Sequence, residues 1–309
     1  MCPDIFKPLF DFLHIPYIGA YMSFLLISLI TSLPIFYVSA KKFGLTPWKQ
    51  MFISPAGIII ALVFSRIFHI LFEGRLDYYL TNLRETGISY LFTEMLNIVG
   101  PGQVFYGGMV GGYLAIVIFT AIFYTKDKSA LIKNFDSLSI AGLNGLWITR
   151  LGCFCEGCCF GRPSKLFGIR FPQNSPTMFA LYRMDPHHTS LFSATQPLIP
   201  TQLIHSASNL VIFIILLRMM NSEKYKPGLI TSTSMILYSI TRFFIEFLRY
   251  DQRGGFGPFS TSQWISIPLL LLGLYLRKKY QQNSEVSNDK KQLLGRSGRN
   301  NGRSVPGKR

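Results

Sequence analysis

Acidic residues are scarce: 15 Asp and Glu stand against 31 Lys and Arg in 309 residues, giving a formal net charge of +16. Cysteine is scarcer, with five, and four of them crowd between positions 153 and 159. That pattern excludes a secreted disulfide scaffold, which spreads many cysteines through a short chain. Charged residues make up only 15% of the chain, and with 27 Phe this low content excludes a disordered protein. Met1 to Pro16 lacks a basic segment and a small-residue cleavage site, so no removable signal peptide is expected. Internal repeats are not evident either. What is abundant is apolar: 49% of residues are hydrophobic and the mean hydropathy is positive. A chain both basic and apolar points to nucleic acid or to a membrane, and the position of the charge decides between them.

A backbone crossing hydrocarbon must satisfy its own hydrogen bonds, so about 20 consecutive apolar residues read as a spanning helix. Tyr17 to Val38, Gln103 to Thr125 and Gly254 to Leu276 contain no Asp, Glu, Lys or Arg. Met51 to Phe72 and Gly228 to Leu248 also qualify, carrying Arg66 and Arg242 inside them. Thr201 to Leu217 is shorter, and Ser137 to Thr149 is the weakest, with Gly142 and Gly145 within it. The expected fold is therefore an all-α integral membrane protein of about seven spans over residues 17–276. A short outer segment, 1–16, precedes them, and a basic disordered cytoplasmic tail, 277–309, follows.

Cytoplasmic loops are enriched in Lys and Arg, and this fixes the expected orientation. Connections after spans one, three and five hold Lys41, Lys42 and Lys49, then Lys126, Lys128 and Lys133, then Arg218, Lys224 and Lys226. The tail holds ten basic and two acidic residues, half of the net charge. These regions are expected to face the cytoplasm, with the N-terminus outside. The tail reads as a topology determinant touching anionic lipid. Nucleic-acid binding is not expected, because no aromatic platform accompanies the charge. Arg150, Arg162, Lys165, Arg170 and Arg183 fall in a loop on the outer side, which orientation does not explain.

Ionisable groups within spans are costly and mark functional sites by default. Arg66 and His69 lie in span two; Arg242, Glu246, Arg249 and Asp251 lie at the end of span six. Arg242 and Glu246, four apart, share one helical face, and the pair reads either as helix glue or as part of an anion site. Residues 150–162 read Arg-Leu-Gly-Cys-Phe-Cys-Glu-Gly-Cys-Cys-Phe-Gly-Arg. Glycines at 152, 157 and 161 permit close approach of backbone, and the arginine fork suits phosphate, so the segment reads as a headgroup site or a tightly packed re-entrant turn. Cys153, Cys155, Cys158 and Cys159 are expected to be packed thiols rather than a metal centre, because four thiolates within seven residues do not readily reach one tetrahedron. Gly107, Gly108, Gly111 and Gly112 are spaced for helix packing, with Tyr106 at the outer edge. Gln202, Ser206 and Asn209, with His205 adjacent, form a polar stripe on span five.

These motifs together resemble the prolipoprotein diacylglyceryl transferase family. The resemblance rests on Arg150, Gly152, Phe154, Gly157 and Gly161; on Tyr106-Gly107-Gly108; on Pro200-Thr201-Gln202-Leu203; on Arg242 and Glu246; and on Ser260, Gln263, Ser266 and Pro268. Arg66 also follows the family's second-span pattern. The resemblance implies a multi-pass enzyme of the bacterial inner membrane. Its reaction moves the diacylglyceryl group of phosphatidylglycerol to the lipobox cysteine thiol of a prolipoprotein signal peptide, forming a thioether without a cofactor. It implies catalytic roles for Arg150, Arg242, Glu246 and Tyr106, and substrate binding by Gly107, Gly108, Gly152, Gly157, Gly161, Gln202, Arg66 and Arg249. Five residues in three of these motifs depart from the family pattern. Tyr106 replaces a histidine, Cys153 and Cys158 replace Asn and Glu, and Ile204-His205 replaces Tyr-Glu. A non-catalytic lipid-binding or transport protein, and a thiol-based redox protein, are the alternatives those departures leave.

Overall fold

The computed structural model describes residues 4–12, 19–72, 81–85, 87, 89, 105–172, 175–184, 197–222, 225–250 and 255–300. Helices are α1 (Lys7–Phe12), α2 (Ala20–Lys42), α3 (Pro47–Phe72), α4 (Phe105–Phe123), α5 (Ala130–Glu156), α6 (Pro176–Met184), α7 (Thr201–Asn221), α8 (Leu229–Glu246) and α9 (Thr261–Asn300). A two-residue antiparallel pair, β1 (Gly255–Phe256) and β2 (Phe259–Ser260), leads into α9. The expectation of a helical protein holds. Among the described residues, four helices are long and apolar enough to cross a membrane: α2, α3 as far as Ile70, α5 and α7. A shorter apolar stretch, Gly107–Phe123, lies in α4.

The weakest of the expected spans became the centre of the bundle. Ser137 to Thr149 lies inside the 27-residue α5, which packs on α2 and α7 and touches α4 and α8. Its polar residues are what lowered its apolar signal, and they face other helices. Asn144 Nδ2 donates to Thr31 Oγ1 at 2.9 Å and Ser32 Oγ at 3.1 Å, and Asn134 Nδ2 donates to Thr120 Oγ1 at 2.9 Å. Small and polar groups of this kind join helices where lipid supplies no hydrophobic force between them. Apolar contacts complete the joint. Phe43, Ile140, Leu143, Ile212, Leu216 and Ile230 form one buried cluster, and Phe36, Ile53, Ile116 and Ala141 a second. Outward, Ile30, Phe52, Ile122, Phe244 and Leu271 are exposed, an exterior suited to hydrocarbon rather than water.

At the far end of the chain the structure departs from expectation. α9 runs on to Asn300, whereas the composition after 276 suggested irregular chain. Between Pro268 and Pro306 there is no proline, and Lys, Arg, Gln, Glu and Leu are good helix formers, so nothing local stops the helix begun by the apolar segment. Residues 301–309 of the expected tail lie outside the described residues, as do residues 1–3 and 13–16 of the expected outer segment, and Asp251.

Candidate functional site

α5 ends where Gly157 takes the left-handed conformation, φ 78°, and its N–H bonds back to Cys153 O at 3.0 Å. Cys158 N–H shares that carbonyl, also at 3.0 Å. This is a glycine helix stop, and it reverses the chain over the last turn of α5. The returning strand is then clamped from both sides. Gly161 N–H donates to Ile199 O at 2.9 Å and Arg162 N–H to Leu248 O at 2.8 Å, while Ile199 N–H donates to Arg162 O at 3.0 Å. A Cβ on Gly161 would meet Leu248 O and Thr201 Cγ2 at 2.7 Å, so only glycine fits between these segments.

The start of α7 reinforces the clamp. Thr201 Oγ1 donates to Cys159 O at 2.7 Å, and Gln202 Nε2 donates to Cys158 O at 2.5 Å. Gln202 is fully buried and its Oε1 has no partner among the described residues. The other glycines face protein. At Gly107 an added Cβ would meet Phe64 O at 2.5 Å, Gly108 lies in ordinary contact with Ala61, and Gly152 packs against Phe24 and Tyr21 of α2. Close helix packing accounts for these three positions.

Arg242, near the end of α8, is buried and held by three partners. Its Nη1 lies 2.8 Å from Glu246 Oε2 and 2.9 Å from His205 Nε2, and its Nη2 donates to Ser262 Oγ at 2.5 Å. An Nε2 that accepts from a guanidinium has its ring proton on Nδ1, so His205 orients the arginine. The sequence singled out Arg242 and Glu246 through their spacing; His205 and Ser262 were missed as their partners, since no local pattern joins residues 37 and 20 positions away. Arg249 Nε lies 3.9 Å from the same Glu246 oxygen, and Arg249 is buried against the returning strand through its bridge with Gly161. Arg150 lies on α5, and its charge is felt by Cys153, Cys159 and Arg249. Arg150 has no carboxylate partner among the described residues. Arg242 and Arg249 therefore share one carboxylate, and the charge of Arg150 acts on both arginines. Arg66 is buried within α3 at 2% exposure, beside His69 on the same helix. Tyr106 belongs to the first turn of α4, and its side chain lies outside the described residues.

Cys153 and Cys155 are buried thiols, and Cys158 and Cys159 are partly buried ones. The Sγ atoms of Cys153, Cys158 and Cys159 lie within 4.8 Å of one another, with Cys155 outside the group, and none forms a disulfide. The reversal at Gly157 and the left-handed Cys159, φ 64°, fold three thiols together. Hydrogen bonds with the Cys153 and Cys158 thiols, assisted by the charges of Arg249 and Arg150, hold the Cys159 thiol below its usual range.

The final helix starts on a reciprocal cap. Ser260 N–H donates to Gln263 Oε1 at 3.0 Å and Gln263 N–H to Ser260 Oγ at 3.3 Å. This sets Ser262 against Arg242.

Helices long and apolar enough to cross a membrane, with buried arginines near a glycine-clamped reversal, define a polytopic helical protein. The family model described as prolipoprotein diacylglyceryl transferase matches residues 10–277, and the chain belongs to that family. It is similar to Phosphatidylglycerol--prolipoprotein diacylglyceryl transferase 2 of Clostridium perfringens (strain 13 / Type A), 36% identical over 201 residues, covering 61% of this chain and 70% of the relative. The corresponding transferase of Clostridium tetani (strain Massachusetts / E88) is 33% identical over 187 residues, covering 59% of this chain and 66% of that protein. That of Prochlorococcus marinus subsp. pastoris is 30% identical over 298 residues, covering 90% and 93%.

Proposed function

We propose that this protein transfers the diacylglyceryl group of phosphatidylglycerol to the cysteine thiol of prolipoproteins, an early step of lipoprotein maturation. The observation that carries the reading is Arg242, buried and fixed by His205, Glu246 and Ser262 beside the clamped reversal. The reaction forms a carbon–sulfur bond at the glyceryl carbon and breaks the carbon–oxygen bond to phosphate. Its electron pair leaves with glycerol phosphate. Positive charge fixed in advance where that negative charge develops lowers the barrier without reorganisation. Arg242 and Arg150 fill that role, with Arg249 completing the cationic surround and Glu246 positioning Arg242. Gln202 fixes the reversal through the Cys158 carbonyl, and its second polar atom is available to a headgroup. Tyr106, in the place of the family histidine, sits at the first turn of α4, with Gly107 and Gly108 seating that helix on α3. Arg66 contributes a further cation from α3.

The same reading places residues 17–276 in the bacterial inner membrane as a seven-span catalytic domain. Residues 1–16 lie outside, and the basic segment after 276 faces the cytoplasm against anionic lipid. Phosphatidylglycerol, prolipoprotein signal peptides and membrane lipids are its partners, and nucleic acid is not. Cells depleted of their own transferase provide the test. Expression of this chain restores diacylglyceryl modification of a prolipoprotein; membrane-inserted protein with no modification refutes the assignment. Reporter fusions after Lys42 and after Asn221 check the orientation, since both are expected on the cytoplasmic side.

A further inference from the structure

Three thiols converge where the family pattern places Asn at one of the positions and Glu at another. Their convergence is built rather than incidental. Cys158 N–H is bonded to Cys153 O, Gln202 and Thr201 hold the carbonyls of Cys158 and Cys159, and Cys159 is kept at φ 64°, a conformation that L residues rarely adopt. A backbone restrained this way keeps three Sγ atoms within 4.8 Å of one another. Tetrahedral zinc with bonds of about 2.3 Å sets sulfurs roughly 3.8 Å apart, so side-chain rotations of about 1 Å close the site.

We infer that Cys153, Cys158 and Cys159 form a three-thiolate site for a zinc-class divalent ion, whose fourth position takes the incoming substrate thiol. Ligand type selects the ion, because sulfur donors favour zinc or cadmium over magnesium and calcium. Ligand number selects the role. Closed structural sites use four protein ligands, whereas three leave a position for a reactant. Cys155 stands outside the group, and the wall of a cavity of about 310 Å³ includes Cys158 together with Gly19, Tyr21, Met22 and Glu156, giving an external thiol an approach to the site. Charge agrees as well. Three thiolates and one divalent cation sum to a negative complex, and the charges of Arg150 and Arg249 act on Cys159 from beside it.

The role of the site rests on the transferase reading; its existence does not. A substrate thiol entering the fourth position binds as thiolate and releases its proton to water. Its sulfur then attacks the glyceryl carbon, and the departing oxygen takes the carbon–oxygen electron pair to the phosphate held by the arginines. Such a thiolate supplies the activation for which this chain has Tyr106 in place of a histidine.

Cadmium titration of the reduced, detergent-solubilised full chain, purified without a histidine tag, tests the site directly. One cadmium per chain and a sulfur-to-cadmium charge-transfer absorption are expected. Cys153→Ser, Cys158→Ser and Cys159→Ser each lose that absorption, and Cys155→Ser keeps it. No absorption from wild-type protein whose thiols are reduced overturns the site, as does equal loss in Cys155→Ser. A peptide bearing a lipobox cysteine then shifts the absorption, and its serine counterpart does not; absence of a shift overturns the open position. Diacylglyceryl transfer measured in parallel separates the two readings. Full activity in rigorously metal-free protein removes the role in thiol activation and leaves the transferase. Metal binding without transfer in any form removes the transferase and leaves the site.

Discussion

Asp136 and Arg242 are both buried charged side chains that meet α8, at positions about 16 Å apart along its axis. Asp136 accepts from Tyr225 Oη at 2.8 Å, Gly228 N–H at 2.7 Å, Thr231 N–H at 2.8 Å and Thr231 Oγ1 at 2.6 Å. Two of these donors belong to the first turn of α8 and one to the glycine before it, so the carboxylate caps the helix and sits where the helix dipole favours negative charge. Every partner is internal and no cation is needed. At the other end of the helix Arg242 and Arg249 share Glu246, and the charges of Arg150 and Arg249 act on Arg242. A buried charge whose partners are complete is a joint. A surplus of one sign, held rigid, attracts the opposite sign.

The largest expected effect separates the two ends by activity. Arg242→Ala lowers diacylglyceryl transfer per folded molecule by about 100-fold or more, the cost of removing one preorganised charge donor, and it also costs stability, because buried Glu246 keeps only Arg249 at 3.9 Å. Unaltered transfer in a prolipoprotein gel-shift assay breaks the assignment of anion binding to that end. Asp136→Asn costs stability alone. Whichever oxygen becomes an amide, a backbone N–H of Gly228 or Thr231 loses its acceptor, destabilising the protein by about 1–3 kcal/mol while transfer per folded molecule persists. Equal loss of both quantities in the two variants erases the distinction.

His205 sharpens the comparison at the Arg242 end. His205→Ala frees Arg242 to leave its orientation and lowers the turnover number about tenfold, whereas His205→Gln, which restores an acceptor, recovers most of it. A merely structural histidine would show no recovery of turnover on the glutamine change. The smallest effect concerns Asp127 in the connection before α5. Its hydrogen bond from Ser129 holds the carboxyl below its ordinary range, with Lys133 acting in the same direction. A depressed folded value adds stability above the ordinary carboxylate pKa of about 3.9, and that stability is lost as pH falls through the lower, folded value. Half-exposed as it is, Asp127→Ala should leave unfolding at neutral pH almost unchanged and slightly flatten its acid dependence.

Apolar runs made α2, α3 and α7 legible, because hydrocarbon demands a continuous stretch that sequence displays directly. α5 was the least legible for the same reason, since Asn134, Asp136 and Asn144 interrupt its apolar run and serve the helices it joins. Spacing made Arg242 and Glu246 legible as one face, and the glycine pattern made the reversal legible as a crowded backbone. Nothing in the spacing disclosed that Gln202 would tie down Cys158, or that Thr201 would tie down Cys159.

By itself the sequence determined the apolar helices α2, α3 and α7, the sign of the charge near the signature segment and the family to which the chain belongs, because length, hydropathy and residue type are local properties. Tertiary structure alone decided which charges are neutralised and which thiols meet. A left-handed glycine at 157 reverses the chain, a hydrogen-bonded clamp holds it, and side chains from α5, α7, α8 and α9 then converge across dozens of residues. Such convergence depends on backbone direction in space, which residue order does not encode locally.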